Sequence, residues 1–188
     1  MSLLDRDGRN IFDDGSVGGG ELLKHAIGGM LATMGDAMAV FSPGINGYRR
    51  FRPRRYVPVT KSWGIDNRSV ALRVPTGSPA SRRCEHRGAG ADANPYLVIA
   101  AILGAALYGI ENQLMPPDPH HGRAYAERLP KLPADWASAV DVFEDGLIIP
   151  SIFDEMLRSM LVACKRQEMA GFASNVTDFE FAAYLEIV

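Results

Sequence analysis

The apolar positions of the chain form three long stretches with helical spacing, and a region with strand-like alternation lies between the first two. In the first stretch, from Glu21 to Val40, apolar residues recur every three or four positions. The second, Pro95 to Asn112, is almost entirely apolar, which predicts a helix buried on most of its sides. The third runs from Ser151 to Ala173. These three helices are expected to form most of the hydrophobic core.

Local signals set the ends of several elements. Asn94-Pro95 predicts a helix start, because Asn caps the first turn and Pro fits the first helical position. Thr177 and Glu180 have the spacing of a capping box, which predicts a last helix over 178–185, and a shorter helix is expected over 136–144. Residues 41–58 are rich in Pro and Gly and predict a loop, and long ordered loops are often functional.

Strands are predicted within residues 60–88. Two of them, 60–65 and 69–75, are joined by a turn at Asp66-Asn67. A third carries Arg83, Glu85 and Arg87, which alternation places on one face. The sequence therefore predicts an α+β fold in which a small, mainly antiparallel sheet packs with about five helices.

Composition excludes several classes of protein. The chain has 188 residues, 47% of them hydrophobic, which suffices for one or two globular domains. A net charge of −2 gives no global sign of a nucleic-acid partner. The polar N-terminus lacks the apolar region of a signal peptide, and the longest apolar run is too short to span a bilayer. Two cysteines form no disulfide framework, so we expect a reduced, cytoplasmic protein with no membrane partner.

Local charge is much less even. The segment from Arg49 to Arg87 contains ten arginines and Lys61, against only Asp66 and Glu85. Arginine binds carboxylate and phosphate through a planar, two-pronged grip, so the segment indicates a multiply anionic ligand. Two alternatives remain open, a basic patch for RNA and a solvated sheet edge. The first is disfavoured because the Gly-aromatic interleaving of common RNA-binding modules is missing.

Four motifs, in this order, carry a family resemblance. They are SLLDRDGRNIF at 2–12, NGYRRFRP at 46–53, DNRSVALRVP at 66–75 and RRCEHRGAGADANPYLVIAAILGAALYGIEN at 82–112. Over nearly its whole length the chain resembles the C-terminal part of the glutamine synthetase family. The resemblance implies binding of glutamate, ATP and Mg²⁺ or Mn²⁺, formation of γ-glutamyl phosphate, and displacement of phosphate by ammonia or an amine.

The resemblance also implies a role for each matching position. Arg50 and Arg87 resemble the arginines that hold the glutamate substrate, and Arg68 resembles the catalytic arginine that faces the transferred phosphoryl group. Arg73 and Arg83 resemble contacts to the nucleotide phosphates.

The remaining matched positions are a carboxylate and two amides. Glu85 resembles a metal-binding carboxylate, a ligand that suits hard divalent ions. Asn67 and Asn94 either share in the site or serve only the turn and the helix cap.

Tyr56 marks a departure from the family pattern. Ammonia-using members carry a glutamate at this position, where an acid attracts ammonium and takes its proton. Tyrosine cannot do so at neutral pH, because its ordinary pKa is roughly 10. The sequence therefore favours the amine-using branch, which includes γ-glutamylputrescine synthetases, with a polyamine as the expected acceptor.

A second departure concerns length. The resemblance implies that residues 1–188 are a partial catalytic domain, without the β-grasp domain and the first half of the catalytic domain. Because that half holds the other metal-binding glutamates, we expect this chain alone to have little or no ligase activity and to bind no cofactor tightly. A weak anion site and self-association through open strand edges are expected. The alternative is a stand-alone binding or assembly module.

Overall fold

One small sheet and a set of helices make up the fold. The structure is a computed structural model that describes residues 1–16, 18–52, 56–125 and 128–187. Within those ranges the helices are α1 (Glu21–Thr33), α2 (Met38–Phe41), α3 (Ile45–Tyr48), α4 (Pro95–Glu111), α5 (Trp136–Asp145), α6 (Glu155–Ala173) and α7 (Asp178–Tyr184). The strands are β1 (Trp63–Ile65), β2 (Leu72–Val74) and β3 (Glu85–His86), and 3₁₀ turns span Pro79–Ser81 and Ile149–Ser151. The predicted α+β class is confirmed.

The sheet has the order β1-β2-β3 and is mixed. β2 and β3 are antiparallel, with Arg73 opposite Glu85, whereas β1 and β2 run parallel. The expected antiparallel arrangement therefore holds for β2 with β3, but β1 and β2 pair in parallel instead. The Asn67 side chain donates to the carbonyls of His120 and Gly122, both at 2.9 Å, and this tie draws the chain into a loop that returns before β2 begins.

The crossing of α1 and α4 organises the helical layer. A Cβ atom on Gly29 would lie 2.0 Å from the Ala105 carbonyl oxygen and 2.6 Å from the Gly109 Cα, so the two backbones touch. The buried residues of α4 are all small: Ala101, Ala105, Ala106 and Gly109. These small residues allow the backbones of α1 and α4 to come this close. The fully buried part of α4 is therefore one narrow stripe of small side chains.

The other side of α4 corrects a prediction. Tyr96, Ile99, Leu103 and Leu107 are between 42% and 82% exposed, so α4 is not buried on most of its sides. Apolar content had indicated burial on most sides, but full burial is confined to the small residues, and Leu97, Val98 and Ile102 are only partly buried against the core. A contiguous apolar face of α4 is left uncovered within this structure.

Helix ends agree with the local signals at two positions. The Asn94 side chain accepts from the backbone N–H groups of Tyr96 and Leu97, and Thr177 with Glu180 forms the predicted capping box. The first helix is shorter than predicted, because α1 ends at Thr33 and four turn residues separate it from α2. Gly35, a weak helix former, lies in that break, where a Cβ would meet the Lys61 side chain at 2.7 Å.

The core lies between α1, α2, α5 and the sheet. Its largest fully buried side chains are Phe12, Leu23, Ile27, Met30, Met34, Met38, Leu72, Val74, Val140, Phe143 and Ile149. Of the described residues of α6, only Val162 is buried, so the third long helix contributes less to the core than predicted. None of the helices described is both long and apolar enough to cross a membrane.

Candidate active site

The centre of the candidate site is a cross-strand ion pair. Arg73 on β2 stands opposite Glu85 on β3, with 3.4 Å between Nη1 and Oε2. Arg83 donates to the other oxygen of Glu85, from Nη2 at 3.0 Å and from Nε at 3.2 Å. Between 22% and 42% of each of these side chains is exposed. Glu85 therefore fixes two guanidinium groups on one half-buried face, which is not the freely solvated edge of the alternative reading.

A second carboxylate extends this cluster. Asp66 lies 3.4 Å from Nη2 of Arg73, and the Thr76 hydroxyl donates to it in a short hydrogen bond. The Thr76 bond and, to a smaller extent, Arg73 hold the pKa of Asp66 below its usual value. Nε of Arg73 is buried and has no acceptor among the described residues, so this guanidinium is left with one unsatisfied donor.

Arg87 is used mainly to hold backbone. Its guanidinium donates to the carbonyls of Val70 at 2.9 Å and Tyr56 at 2.7 Å, and makes a short bond to the carbonyl of Arg68. Burial lowers the pKa of Arg87, and the nearby charges of Arg73 and Arg68 lower it further. Arg87 thereby joins the loop before β2 to the segment at Tyr56 and gathers three arginines in one region.

The two remaining predicted residues differ in how they are held. Arg50 donates to the Gly88 carbonyl at 3.0 Å, and its guanidinium carbon lies 4.8 Å from the centre of the Phe51 ring. This bond places Arg50 beside the chain that leaves β3. Arg68 is exposed, and its guanidinium makes no hydrogen bond or ion pair within the described ranges. The structure thus joins Arg73, Arg83 and Glu85 by direct side-chain contacts. Arg87 bonds to the Arg68 carbonyl, and Arg50 is held at the Gly88 carbonyl, one residue after Arg87.

Charge decides which ligands this surface accepts. Five arginines and two carboxylates belong to this region, and of these arginines Arg73 and Arg83 pair with the carboxylates. The excess of positive charge favours a carboxylate or phosphate over a cation. A divalent ion needs several oxygen ligands, and in the described part of the chain no group of three or more His, Cys, Asp or Glu side chains could hold one. Glu85, already paired with two arginines, does not fit such an ion by itself. The site in this chain fits the anions and leaves the metal without sufficient ligands.

Three residues of the region escaped the sequence analysis. Asp66 pairs with Arg73, and its position next to the Asn-Arg motif was the available signal. The hydroxyl of Tyr125 is buried with no partner in the described ranges. Burial raises the pKa of Tyr125, and the nearby charge of Arg87 opposes that rise. Arg82 is 5% exposed and lies 3.4 Å from Asp13, so its role is structural. Tyr125 gave no sequence signal, since it lies in an irregular segment.

The two asparagines left open by the sequence have geometric roles. Asn67 ties the loop after β1 to His120 and Gly122, and its oxygen accepts from the backbone of Ser69 at 2.9 Å. Asn94 is the cap of α4. Both side chains are thus engaged in local structure.

Comparison with known proteins gives one consistent result. Residues 1–184 match the family described as glutamine synthetase, catalytic domain. The chain is 36% identical to the γ-glutamylputrescine synthetase of Escherichia coli over 96% of its own length and 38% of that protein. It is 34% identical to the γ-glutamylethanolamide synthetase of Streptomyces coelicolor, covering 99% of this chain and 40% of the relative. A glutamate–isopropylamine ligase of a Pseudomonas species is 36% identical, over 100% of this chain and 42% of that ligase.

Solved structures agree with the sequences. The chain superposes on a GmaS/ADP complex with a TM-score of 0.84 and 28% identity, covering 98% of this chain and 44% of that one. Against GmaS without ligand the TM-score is 0.85, with 29% identity over 98% of this chain and 43% of that one. The chain thus spans about two fifths of the length of the curated relatives that it matches.

Proposed function

The chain belongs to the glutamine synthetase family, and from that premise we propose that it carries the anion-binding part of an ATP-dependent ligase. The reaction joins the γ-carboxyl group of glutamate to ammonia or an amine through γ-glutamyl phosphate. The observation that carries the proposal is the arginine face around Glu85, where Arg73 and Arg83 meet one carboxylate at 3.4 and 3.0 Å. Relatives named as glutamate–amine ligases and glutamine synthetases support the same reaction class.

Each arginine has a proposed task in this chemistry. Arg50 and Arg87 bind the carboxylates of glutamate, and Arg73 and Arg83 bind the phosphates of ATP. Arg68, whose guanidinium has no partner among the described residues, faces the phosphoryl group in transfer. Fixed positive charge around the phosphoryl oxygens stabilises the transition state, because its charge is spread over those oxygens. Binding of the ligands replaces the contacts that Arg50 and Arg87 now make with backbone carbonyls.

A divalent ion is part of the proposed complete enzyme, as Mg²⁺ or Mn²⁺ with ATP. When bound, such an ion would supply positive charge that offsets the negative charge of the phosphates. In a longer chain Glu85 would supply one of its carboxylate ligands. Because the residues described here do not supply the others, no step of the proposed chemistry in this chain passes through the metal, and we expect this chain alone to show little or no ligase activity.

Tyr56 supports an amine other than ammonia as the acceptor. Its side chain is 70% exposed and its φ is 56°, and its carbonyl accepts from Arg87, so it lies beside the proposed glutamate site. Tyr56 stands where ammonia-using members of the family carry a glutamate, so the acidic side chain that attracts ammonium is replaced. We propose a polyamine as the preferred acceptor and the reducing cytoplasm as the compartment. A complete enzyme that used ammonia faster than putrescine would overturn the amine assignment.

The proposed anion site is testable in this chain without any catalysis. Inorganic triphosphate titrated into the chain should bind weakly and without added metal, and Arg73→Ala should weaken it by about tenfold. The matched control is Arg166→Ala, which removes the same charge from α6, where Arg166 pairs with Asp141 and Glu144. Equal affinity of the two variants for triphosphate would contradict the proposal that the arginine face binds anions. Tight, metal-dependent binding of ATP would show that this chain contains more of the ligase site than we propose.

A further inference from the structure

We propose that a second site, a groove of about 520 Å³ between α3, the start of α5 and the end of α6, binds an anion with a flat apolar body. Arg49, Phe51 and Arg52 line this groove, whereas Arg50, which lies between them in sequence, is turned to the Gly88 carbonyl. None of the six residues assigned to the ligase site lines it. The groove is therefore a separate site, carried by the same loop as Arg50.

Aromatic side chains give the groove its apolar walls. Tyr48, Phe51, Trp136 and Phe172 all line it, and the rings of Tyr48 and Phe51 have centroids 6.0 Å apart. The Tyr48 hydroxyl is engaged, since it donates to the Met38 carbonyl at 3.2 Å. Flat rings offer broad contact to another flat apolar group. A volume of this size lies within the usual range for small-molecule sites.

The charged side chains that line the groove favour a negatively charged ligand. Arg49 and Arg52 line the groove, and the guanidinium of Arg52 makes no hydrogen bond or ion pair within the part of the chain described. Asp135 is the acid in the lining, but its oxygens accept from the backbone N–H of Ser138 at 2.9 Å and from the Ser138 hydroxyl at 2.7 Å. The carboxylate is thus occupied as the cap of α5, and positive charge remains in excess. An anion is favoured and an amine is disfavoured.

The combination points to one chemical class, an aryl-alkyl carboxylate. Inorganic phosphate and glutamate lack the apolar surface that the four rings would cover, and an uncharged arene would gain nothing from the positive charge of Arg52. Trp136 is buried, with 8% of its surface exposed, and its indole Nε1–H group has no hydrogen-bond acceptor in the described ranges. The site thus has the walls for a ring and the charge for a carboxylate.

Calorimetry with 4-phenylbutanoate as the probe tests this site, with 4-phenylbutylamine as the matched cation. Ala137 is exposed, lines the groove and lies in the first turn of α5, where an acidic side chain suits the helix. Ala137→Glu therefore places a negative charge in the groove and is expected to fold, and Ala137→Gln is a control of equal size. We expect saturable binding of 4-phenylbutanoate. Ala137→Glu should weaken its affinity about tenfold, and so should the double variant Arg49→Ala, Arg52→Ala, whereas Ala137→Gln should keep the wild-type affinity.

Several results would overturn this inference. They are absence of saturable binding, equal binding of the amine, or unchanged affinity in Ala137→Glu and the double arginine variant when circular dichroism shows both folded. Displacement of the probe by glutamate or triphosphate would place it in the ligase site, which also contradicts a separate groove. Since the measurement needs no catalysis, a failure of the proposed ligase function would leave its outcome unaffected.

Discussion

Glu85 holds two arginine side chains in place, and for this reason it competes with any anion that those arginines bind. Its two oxygens meet Arg73 and Arg83 at 3.4 and 3.0 Å, on a face that is partly exposed to solvent. Ion pairs in such positions are weak individually, in the range of about 0–1 kcal/mol. A phosphate ligand can therefore displace Glu85 from the arginines, but at a measurable cost in affinity.

Removing this competitor gives the first prediction. Glu85→Gln should raise the affinity of the isolated chain for inorganic triphosphate by about two- to fivefold, because the arginines then lose their internal anion. Equilibrium titration in low salt measures the change. Glu168→Gln is the control, since Glu168 pairs with Lys165 on α6, and it should leave the affinity unchanged. Lower affinity in Glu85→Gln would mean that Glu85 positions the arginines more than it competes.

His86 gives a prediction on pH. Burial, and to a lesser degree the charge of the Met1 amino group, lowers the pKa of His86 to about 4, and its ring lies 4.3 Å from that of Phe41. The unfolded chain takes up this proton below pH 6.5 and the folded chain only near pH 4, so stability falls as pH decreases through this window. Between pH 7 and pH 5 the free energy of unfolding should drop by about 2 kcal/mol on account of His86.

The measurement is urea unfolding at the two pH values for the chain and for His86→Leu. The variant cannot take up this proton, so its loss of stability between pH 7 and pH 5 should be smaller by that amount. The same loss in both proteins would show that His86 is accessible to protonation in the folded state.

At the residue scale, side-chain contacts between residues close in sequence were predicted, and contacts between residues far apart in sequence were not. Asn94 and Thr177 were identified as caps because their partners lie within three positions. Alternation placed Arg83 and Glu85 on one face, and these two side chains are in contact. Arg87 instead donates to carbonyls 17 to 31 residues away, and no local pattern indicates such partners.

At the scale of elements, the contact of α1 with α4 depends on two glycines. A Cβ on Gly109 would lie 2.2 Å from the His25 carbonyl oxygen and 2.5 Å from the Gly29 nitrogen, which are backbone atoms that cannot move aside alone. The helices are therefore held at a distance that only the absence of a side chain permits. This contact fixes α4 and, through its capped start at Asn94, the end of the segment that leaves β3.

Gly109→Ala tests this contact. The variant should lose about 2–3 kcal/mol of unfolding free energy, because a methyl group forces the two backbones apart. Gly171→Ala on α6 is the matched control, since a Cβ there meets nothing within 4 Å, and it should gain up to about 1 kcal/mol from helix propensity. Thermal and urea unfolding of the two variants measure both changes. Equal stability of Gly109→Ala and the wild type would mean that the helices separate without cost.

Helices and strands were predicted correctly where a periodic sequence pattern defines them. The predictions were wrong where contacts between distant residues decide the structure. The C-terminal end of α4 was predicted to within one residue, because the helix is a run of apolar residues between a cap and a polar segment. The parallel pairing of β1 with β2 was missed because it depends on Asn67 bonds to residues 53 and 55 positions away. Burial of α4 was overestimated because apolar content does not show which face the chain covers.

At the scale of the whole molecule, the apolar face of α4 lies uncovered among the described residues. Ile99, Leu103 and Leu107 follow one another on it and are 55%, 42% and 54% exposed. Contiguous apolar surface of this kind marks an interaction site or a liability to aggregate. The relatives are more than twice as long as the matched region, and material of that length is available in them to cover such a face.

In this chain alone, the face should drive self-association. Light scattering during gel filtration should give a mass above 20.5 kDa for the wild type and a mass near 20.5 kDa for the Leu103→Lys, Leu107→Lys double variant. Leu147→Lys is the control, because Leu147 is 93% exposed and lies beyond the end of α5, away from this face, and its variant should behave like the wild type. A monomeric wild type would contradict this expectation.

The proposed role of this chain as part of a glutamate–amine ligase is tested most directly by amide formation. The protein would be isolated from its source cells with an antibody to this chain, in whatever length the cells make it, and incubated with glutamate, ATP and an amine. We predict ATP-dependent formation of a γ-glutamyl amide with release of phosphate, faster with putrescine than with ammonia. If neither an amide nor glutamine forms with any acceptor, the chain is a stand-alone anion-binding module and the ligase assignment is wrong.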